Sequence, residues 1–383
     1  MNNKPENDGH APLTVGITGQ AGFIGGHLYN WLGLFPERYR LKPFSDGIFS
    51  SEEDLRHWAG GCDVIVHLAA MNRHGDPQVI YDTNISLVRK LISAMEDAGK
   101  APHVLFASST QEERDNTYGR SKKEGRELLA GWAARTGAVF TGLVIPNVFG
   151  PFGHPYYNSA VATFCHQLTH DEQPKIEIDG LLKLIYVGEL VEEFGKAIDL
   201  RLQQAFLPVA HTAECRVSGI LEILRRFKAT YFEKGIIPAC PNRFELQLFN
   251  TFRCYIDIGS HYPVTLRLNT DERGSFVETV RAETAGQVSF STTRPGITRG
   301  NHFHTRKAER FAVIRGKAEI CLRRIGTDRI FRFELSGDSP SFVDMPVWHT
   351  HNITNTGDDE LYTIFWINEP FDPSDPDTYF EKV

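Results

Sequence analysis

The stretch "VGITGQAGFIGG", residues 15–26, is the part of the sequence that decides the fold. An apolar run leads into three glycines at steps of three, and an apolar helix-like run follows them. A turn between a strand and a helix needs such glycines when its backbone approaches a pyrophosphate and the helix packs closely on the strand. The helix N-terminus then adds partial positive charge. The residues expected to bind a dinucleotide here are Gly19, Gly22, Phe23, Ile24 and Gly25.

The segments on either side extend this prediction to the whole chain. Up to about Leu200, short apolar segments alternate with stretches whose apolar residues recur at three and four, which predicts an α/β fold with a doubly wound parallel sheet of Rossmann type. From about Pro263, short alternating runs are broken by Gly, Asn and Asp, a pattern typical of an all-β sandwich or barrel. We expect a disordered leader over 1–12, a nucleotide-binding domain with its substrate subdomain over 13–262, and a β-barrel domain over 263–383.

The composition is that of an ordinary globular protein, with 383 residues, 41% hydrophobic and 23% charged. The formal net charge of −7 argues against a general affinity for nucleic acid, and no apolar run is long enough to cross a bilayer. The polar N-terminus "MNNKPENDGHAP" lacks an apolar signal segment, which favours a cytoplasmic protein. The six cysteines form no C-x-x-C pair, so we expect buried thiols.

A candidate catalytic pair lies in "TYGRSKKEG", residues 117–125, where Lys122 follows Tyr118 by four residues. On a helix these two side chains share a face. An ammonium beside a phenol favours the phenolate and lowers its pKa from ~10, so the pair can exchange a proton with a carbinol oxygen while hydride moves. "FASST", at the end of the preceding strand, supplies Ser109 to hydrogen-bond the same oxygen, with Ser108 as the alternative.

Two further segments bear on the cofactor. In "CDVIVHLAA" we expect an adenine beside the first residues and a ribose beside the last, although a plain buried strand explains the apolar residues equally well. The residues expected at the cofactor in this strand are Asp63, Val64, Leu68, Ala69 and Ala70. After the second strand, "YRLKPFSDG" offers Arg40 and Lys42 for a 2′-phosphate, but also Asp46 for a ribose hydroxyl. The two cations favour NADPH over NADH.

Histidines recur in the last quarter of the chain. In "RGNHFHTRKAERFAVIRG", residues 299–316, His302 and His304 share one face of a strand, and Glu309 begins the next apolar run. "MPVWHTHNITN" adds His349 and His351, again on one face. Three imidazoles and a carboxylate suit Zn²⁺, or Fe, Mn or Ni. The alternative is a set of surface histidines on an edge strand, but two H-x-H pairs and a spaced glutamate in one β domain favour a metal site.

Taken together, the N-terminal motifs resemble the extended short-chain dehydrogenase/reductase family, which acts largely on nucleotide sugars. "TGQAGFIG", "HLAA", the serine strand, the Y-x-x-x-K pair and "PNVFGP" occur in the family order within about residues 13–262. The resemblance implies catalysis by Ser109, Tyr118 and Lys122 and substrate contact by Asn147. Many relatives carry an arginine three residues before that asparagine, where this chain has Val144.

The C-terminal motifs resemble the cupin family. The residues that match its two motifs are Gly296, His302, His304, Glu309, Gly316, Pro346, His351 and Asn355, with Trp348 in place of a usual glycine. The alignment implies metal ligation by His302, His304, Glu309 and His351, and it favours His351 over His349. "DERGSF" (271–276), "GQVSFS" and "TRGNH" also resemble the sugar-nucleotide 3,5-epimerases, in which the histidine of RG-x-H acts as a base. His302 therefore has two candidate roles, ligand and base.

From about residue 13 to 383 the chain resembles the CapF-type bifunctional enzymes of capsular polysaccharide and O-antigen synthesis. The domain order carries the resemblance, together with "YYNSAVATFC", "TRGNHFH", "PVWHTHNI" and "NEPFDPSDPDTYF". It implies a UDP-4-keto-6-deoxy-N-acetylhexosamine substrate, contacted by Asn147 and Asn158. The cupin is then expected to epimerise C3, and the reductase to reduce the C4 ketone with NADPH. The product is UDP-2-acetamido-2,6-dideoxy-L-talose, a precursor of N-acetyl-L-fucosamine. We expect a homo-oligomer, a dimer.

Two alternatives stay open at this point. In the first, the N-terminal domain is a complete epimerase or dehydratase that regenerates its own NAD, and the cupin is unrelated to it. Steady consumption of reduced cofactor would argue against that. In the second, the cupin is a non-catalytic module for dimerisation or sugar binding, and a closed coordination shell around a structural metal would support it.

Overall fold

The computed structural model describes residues 11–272, 274–283, 286–369 and 372–383, with side chains throughout except at 274–276. Residues 1–10 of the predicted leader lie outside the described residues, as do Arg273 of "DERGSF" and residues 370–371 of "NEPFDPSDPDTYF".

The described chain forms two compact units. The N-terminal unit comprises residues 11–163 and 178–217, and the C-terminal unit comprises residues 164–177 and 218–383. The boundary between 262 and 263 stays a prediction about domains. By packing, residues 218–262 group with the C-terminal unit: Ile258 and Tyr262 lie in its apolar core, and the buried Arg253 guanidinium donates to the carbonyl oxygen of Met345 in β18.

The helices in chain order are α1 (Phe23–Gly33), α2 (Glu52–Gly60), α3 (Pro77–Asp97), α4 (Thr117–Thr136), α5 (Ala160–Thr169), α6 (Val187–Asp199), α7 (Val217–Phe227), α8 (Arg243–Arg253) and α9 (Ile258–His261). The first nine strands are β1 (Leu13–Thr18), β2 (Tyr39–Lys42), β3 (Val64–His67), β4 (His103–Ser109), β5 (Phe140–Ile145), β6 (Asn147–Phe149), β7 (Leu181–Tyr186), β8 (Gln204–Pro208) and β9 (Ala213–Arg216). The remaining strands are β10 (Val264–Thr265), β11 (Leu268–Asp271), β12 (Gly274–Val277), β13 (Gln287–Thr293), β14 (Thr298–Phe303), β15 (Glu309–Arg315), β16 (Lys317–Arg324), β17 (Ile330–Ser336), β18 (Ser341–Met345), β19 (His349–Asn355), β20 (Leu361–Ile367) and β21 (Tyr379–Phe380).

The main sheet of the N-terminal unit is parallel and has the strand order β2-β1-β3-β4-β5-β8. Helices cover both of its faces. Successive side chains of a strand point in opposite directions, so neighbouring residues of one strand pack against different helices. Leu105 of β4 lies in one apolar cluster with Leu28 of α1 and Phe194 of α6. Its neighbour Phe106 lies in a second cluster with Trp132 of α4. The predicted doubly wound parallel sheet is confirmed. A small sheet of order β6-β7-β9 completes the strands of this unit.

Two antiparallel sheets of five strands form the body of the C-terminal unit, with the orders β10-β18-β15-β20-β13 and β17-β16-β19-β14-β21. Side chains from both sheets share one apolar core, which includes Ala312 and Val343 from the first sheet and Ile320 and Ile353 from the second. The hairpin β11-β12 forms a separate two-stranded sheet. The all-β prediction is confirmed at this level, and the closure of the two sheets into a cupin barrel stays a prediction.

Two expectations from composition can be compared with the structure. No helix among the described residues is long and apolar enough to cross a bilayer. All six cysteines are free thiols: Cys62, Cys165 and Cys321 are buried, and the other three are half-buried.

Candidate active site and metal centre

The glycine turn follows the carboxyl end of β1 and leads into α1. Gly19 has a left-handed φ of +70°, and a Cβ there would lie 2.9 Å from the backbone nitrogen of Ala69. At Gly25 a Cβ would lie 2.2 Å from the carbonyl oxygen of Gly19, so a larger residue would push α1 away from the turn. Gly22 caps α1 without a side-chain hydrogen bond, and the first turn of α1 carries no acidic residue. The amides at this helix end are therefore available to an anion such as a pyrophosphate.

The end of β3 lies beside this turn. The amide of Leu68 donates to the carbonyl oxygen of Thr18 at 3.2 Å, and the amide of Ala69 donates to the Thr18 hydroxyl at 3.3 Å. In the sheet order the chain passes from β1 to β2 on one side and to β3 on the other, and open α/β sheets bind their ligands at such a point. Leu68 and Ala69 thus lie at the glycine turn, and their contact with a ribose stays a prediction.

Asp63 and Val64 lie at the other end of the same strand. The Asp63 carboxylate accepts the amide of Thr14 at 2.8 Å, at the amino end of β1. Since β1 and β3 run parallel, the glycine turn and the start of β3 lie at opposite edges of the sheet. The structure therefore does not bring these two residues to the cofactor turn, and the expected adenine contact has no support from their position.

The three residues considered for the 2′ group of the cofactor lie in different places. Arg40 lies in register with Thr14, near the amino end of β2. The Lys42 ammonium donates to the carbonyl oxygen of His57 at 3.2 Å, at the end of α2. By contrast, the amide of Phe44 donates to the side chain of Gln20 in the glycine turn at 3.0 Å, and Asp46 begins the 3₁₀ turn just beyond. The structure brings the Asp46 segment to the turn, and it does not bring the two cations there.

Tyr118 and Lys122 lie one turn apart at the start of α4, which Asn116 caps by accepting the amide of Gly119 at 2.7 Å. The Lys122 ammonium donates to the carbonyl oxygen of Ala107 in β4 at 2.9 Å and lies 5.8 Å from the centroid of the Tyr118 ring.

The pKa values of this pair move in opposite directions for the same reason. Burial lowers the pKa of Lys122 to about 8, although the nearby charge of Glu112 opposes that shift. Burial raises the pKa of Tyr118 to about 12, and Tyr157 adds to the rise. The sequence-based expectation of a lowered pKa at Tyr118 is therefore wrong for this structure, because burial disfavours the charged phenolate.

The two serines at the end of β4 have different partners. The Ser109 hydroxyl oxygen accepts the amide of Gln111 at 3.2 Å, which leaves its proton for another acceptor. The Ser108 hydroxyl donates to the carboxylate of Glu112. Glu112 in turn forms a bidentate ion pair with Arg126 of α4, with N–O distances of 2.8 to 3.1 Å. This arrangement favours Ser109 over Ser108 as the serine that meets a substrate.

The Glu112–Arg126 ion pair was not among the predicted site residues. It holds the turn after Ser109 against the helix that carries Tyr118, and both of its side chains are nearly buried, at 5% and 10% exposure. Arg126 follows Lys122 by four residues on the same face of α4, which is the signal that sequence alone offers. Nothing in the sequence singles out Glu112 as its partner.

The predicted substrate residues lie on exposed backbone. Asn147 follows β5, whose Ile145 is in register with Ser109, so Asn147 lies at the carboxyl edge of the sheet. Its side-chain amide donates to the carbonyl oxygen of Lys183 at 3.1 Å. Asn158 is exposed in the segment before α5. The neighbouring Tyr157 was not predicted, and its hydroxyl accepts the amide of Asn72 in the loop after β3 at 3.3 Å.

In the C-terminal unit the four predicted metal ligands converge. Each of His302, His304, Glu309 and His351 offers one ligand atom, and these atoms all lie within 4.8 Å of one another. The Nε2 atoms of His351, His304 and His302 lie 2.9, 3.3 and 3.9 Å from Oε2 of Glu309. His302 lies opposite His351 in the β14–β19 ladder. Three of the four are buried, whereas the side chain of His302 is 25% exposed.

The hydrogen bonds around the rings show what this cluster fits. Nδ1 of His304 lies 2.5 Å from the carbonyl oxygen of Asp377, and Nδ1 of His351 lies 3.2 Å from that of His349. A carbonyl only accepts, so each ring donates from Nδ1, and in the neutral ring the Nε2 atom that faces Glu309 is then the unprotonated one. These two Nε2 atoms and Oε2 of Glu309 are buried, and apart from one another they have no hydrogen-bonding partner in the part of the chain that the structure describes. Converging acceptors of this kind fit a divalent cation, and the donor set suits Zn²⁺.

His349 is not among the four converging residues. Its Nδ1 lies 3.0 Å from the carbonyl oxygen of Val347, and burial lowers its pKa to about 4. Of the two histidines in "HTH", the structure thus brings His351 to the cluster.

These two sites define the class of protein. The N-terminal unit is a Rossmann-type nicotinamide-nucleotide domain with the residue set of a short-chain dehydrogenase/reductase. The C-terminal unit is an antiparallel β domain with a candidate metal centre. Two family models match the chain: the NAD dependent epimerase/dehydratase family over residues 15–202, and the polysaccharide biosynthesis C-terminal domain over residues 269–379.

Two of the similar proteins match nearly the whole chain, and a third matches part of it. It is 34% identical over 371 residues to the UDP-2-acetamido-2,6-beta-L-arabino-hexul-4-ose reductase of Pseudomonas aeruginosa, which covers 96% of this chain and 98% of that protein. It is also 34% identical to the capsular polysaccharide assembling protein CapF from Staphylococcus aureus, whose crystal structure matches with a TM-score of 0.62 over 97% of this chain and 100% of that one. The spore coat polysaccharide biosynthesis protein SpsL of Bacillus subtilis is 26% identical over 122 residues, 29% of this chain and 81% of that protein.

The chain therefore belongs to the CapF family of two-domain polysaccharide-biosynthesis proteins, in which an NAD-dependent epimerase/dehydratase domain precedes a polysaccharide biosynthesis C-terminal domain. The resemblance seen in the sequence motifs is confirmed. The chain is an enzyme of a UDP-sugar reductase and epimerase family that uses a nicotinamide cofactor.

Proposed function

We propose that this protein reduces the C4 ketone of a UDP-4-keto-6-deoxy-N-acetylhexosamine with NADPH, after its C-terminal domain has epimerised C3. The product is UDP-2-acetamido-2,6-dideoxy-L-talose, a precursor of N-acetyl-L-fucosamine in capsule or O-antigen. The observation that carries the proposal is the similarity, over 96% of the chain, to a reductase named for a UDP-linked hexul-4-ose. It is supported by the position of Ser109 at the end of β4 and by the hydrogen bond of Lys122 to Ala107 in the same strand.

The reduction needs a proton donor at the ketone oxygen. A phenol whose pKa is about 12 is protonated at neutral pH, so Tyr118 starts as the acid that a reduction requires. The Ser109 hydroxyl keeps its proton for the same oxygen. The Lys122 ammonium, held to Ala107, stabilises the phenolate once Tyr118 has given up its proton. The cofactor supplies the hydride when it is bound at the glycine turn.

Epimerisation at C3 uses the same ketone. A C4 carbonyl acidifies the C3 proton, and an enzyme must remove that proton from one face and return one to the other. His302 supports this assignment because its side chain is 25% exposed, whereas those of the other three cluster residues are at most 8% exposed. It is the cluster member that a sugar can reach, whether it acts as base or as ligand. A divalent metal, when bound by these four residues, would supply Lewis acidity toward an enolate oxygen.

The choice of NADPH rests on the reductive direction of the reaction, since Arg40 and Lys42 lie away from the glycine turn. The segment that carries Asp46 is tied to the glycine turn by the Phe44–Gln20 hydrogen bond, and a carboxylate there would favour the ribose hydroxyl of NADH, so the two cofactors must be compared directly. Catalytic efficiencies measured with NADPH and NADH decide between them. We further propose that the enzyme acts as a homodimer in the cytoplasm, which light scattering of the purified protein tests for the oligomer.

The decisive experiment gives the full-length protein a UDP-4-keto-6-deoxy-N-acetylhexosamine in D₂O, with and without NADPH. We expect deuterium at C3 without NADPH, and stoichiometric NADPH oxidation with reduction of C4 when it is present. Exchange without cofactor consumption would contradict the reductase assignment and favour an epimerase or dehydratase that regenerates its cofactor. Cofactor consumption without exchange would leave the C-terminal domain as a non-catalytic module.

A further inference from the structure

The last residues of the chain lie against the loop that carries two of the metal-site residues. This loop, residues 304–308, connects β14 to β15, with His304 at its start and Glu309 directly after it. The tail segment, residues 372–383, contains Asp377, which is 3% exposed and has a left-handed φ of 42°. The contact between Asp377 and this loop does not follow from the sequence, because about 70 residues separate them.

The Asp377 carboxylate is saturated with donors from that loop. Oδ1 accepts the amide of Thr305 at 3.1 Å and its hydroxyl at 2.6 Å. Oδ2 accepts the amides of Arg306 and Lys307, each at 3.0 Å. Hydrogen bonds to an ionised, buried acceptor are about twice as strong as those between neutral groups. One side chain therefore holds three consecutive backbone amides and fixes the path of the chain between the two site residues.

The same residue orients one of the imidazoles. The carbonyl oxygen of Asp377 lies 2.5 Å from Nδ1 of His304, and it sets the tautomer in which Nε2 faces Glu309. Asp377 thus contacts one site residue through its backbone and positions the next through its side chain.

Other tail contacts keep Asp377 in this place. The Lys307 ammonium donates to the carbonyl oxygen of Pro376 at 2.9 Å. β21 pairs with β14 next to His302, and the amide of Glu381 donates to the carbonyl oxygen of Asn301 at 2.9 Å. The tail segment thus forms hydrogen bonds to the rest of the domain both before and after Asp377.

We propose that Asp377 is a positioning residue of the metal centre, which presets His304 and Glu309 for a divalent cation. The inference rests on the metal-binding part of the proposed function. It predicts that metal affinity depends on a residue that does not touch the metal. Asp377→Asn exchanges one of the two acceptor oxygens for an NH₂ group, which cannot accept. Either the amide and hydroxyl of Thr305 or the amides of Arg306 and Lys307 then lose their acceptor. The left-handed backbone tolerates asparagine, so the substitution tests the carboxylate and not the turn.

The test titrates full-length, metal-stripped protein with Co²⁺ and with Zn²⁺ against a chromophoric chelator. It also records the visible spectrum of the Co²⁺ form, which reports coordination geometry. We expect Asp377→Asn to weaken the affinity for both ions by about 10- to 100-fold and to change the Co²⁺ spectrum. The matched control is Asp375→Asn in the same tail segment, which removes an exposed carboxylate that pairs with the Arg306 guanidinium. It is expected to keep the affinity within about twofold, as for exposed ion pairs generally.

The possible outcomes separate the inference from the proposed metal site. If the unmodified protein binds neither ion, the metal site itself is wrong. If it binds and folded Asp377→Asn binds with equal affinity and an unchanged spectrum, Asp377 does not position the site. Melting curves of the metal-free proteins identify a variant that has merely lost its fold. In that case Thr305→Val removes a single donor to Oδ1, and unchanged metal affinity in this milder variant overturns the inference.

Discussion

At the scale of single residues, burial decides the chemistry of the reductase site. A lysine four residues after a tyrosine suggests a phenolate, but desolvation raises the pKa of Tyr118 to about 12 and lowers that of Lys122 to about 8. A protonated tyrosine can give its proton to the ketone oxygen while the cofactor supplies the hydride, and the reaction ends with a proton on that oxygen. The pKa values therefore agree with a reductase working at neutral pH.

Tyr118→Phe removes that proton and leaves the glycine turn intact. We expect NADPH binding to survive, and ketone-dependent NADPH oxidation to fall about 100- to 10,000-fold, as when a general acid is lost. Steady-state rates and fluorescence titration of NADPH measure the two effects. The control is Tyr81→Phe, which removes a hydroxyl of α3 that bonds to Glu124 of α4. A Tyr118→Phe enzyme that turns over as fast as this control would remove Tyr118 from the mechanism.

Buried histidines make the stability of the N-terminal unit depend on pH. His103 is 2% exposed, its Nε2 lies 2.9 Å from the Thr141 hydroxyl, and burial lowers its pKa from 6.5 to about 4. Between pH 6.5 and 4 the unfolded chain therefore binds more protons than the folded one, and the free energy of unfolding falls as the pH falls through this window.

When the pH falls from 7 to 5, we expect this titration to lower the free energy of unfolding of the unmodified protein by about 2 kcal/mol. The His103→Gln variant should lack this part of the decrease. Glutamine keeps a donor for Thr141 and cannot take up a proton. Urea unfolding at the two pH values measures the difference. An identical pH dependence in both proteins would show that His103 is not held neutral.

At the scale of elements, close packing of α1 on the glycine turn sets the cofactor site. A Cβ at Gly25 would meet backbone atoms of Gly19 and Gln20 at 2.2 and 2.9 Å, and backbone cannot swing aside as a flexible side chain can. A Cβ at Gly26, the next residue, would meet nothing closer than 3.8 Å. Substitutions at Gly25 and Gly26 therefore distinguish the effect of packing against the turn from the general effect of removing a glycine from a helix.

Gly25→Ala is expected to weaken NADPH binding by about 10-fold or more, because overpacking typically costs ~1–3 kcal/mol and moves the helix end. Gly26→Ala is expected to keep NADPH affinity within about twofold and to stabilise the protein by up to ~1 kcal/mol through helix propensity. Calorimetric titration and melting curves compare the pair. Equal NADPH affinity in both variants would mean that the cofactor does not use this turn.

At the scale of the whole molecule, the two candidate reactions belong to two units. Ser109, Tyr118 and Lys122 lie in the N-terminal unit, and the His302–His304–Glu309–His351 cluster lies in the C-terminal unit. The two proposed activities should therefore be separable by mutation, even though both are proposed to use one ketone.

His351→Ala leaves three ligands in the cluster, so we expect loss of bound metal and a large fall in C3 deuterium exchange, measured by NMR in D₂O. The same variant should still oxidise NADPH when it is given an already epimerised 4-keto sugar. Tyr118→Phe should show the reverse, exchange without oxidation. Circular dichroism must accompany the assay, because loss of a structural metal can unfold a domain. Normal exchange by a folded, metal-free His351→Ala protein would exclude a catalytic metal and favour His302 as the base.

The sequence by itself determined the features that are local and periodic. Three glycines at steps of three predicted the turn between β1 and α1, and alternating strand and helix patterns predicted the doubly wound sheet. H-x-H spacing predicted which side chains share a face of a strand. These follow from sequence because backbone sterics and side-chain periodicity act within a few residues.

Only the tertiary structure decided what depends on distant partners or on burial. It placed Asp63 at the far edge of the sheet, joined Glu112 to Arg126, and brought Asp377 to a loop about 70 residues earlier in the chain. It also raised the pKa of Tyr118, where sequence spacing had suggested the opposite. The physical reason is common to all of these: strand direction, desolvation and long-range hydrogen bonds are properties of the packed chain, and residue spacing does not encode them.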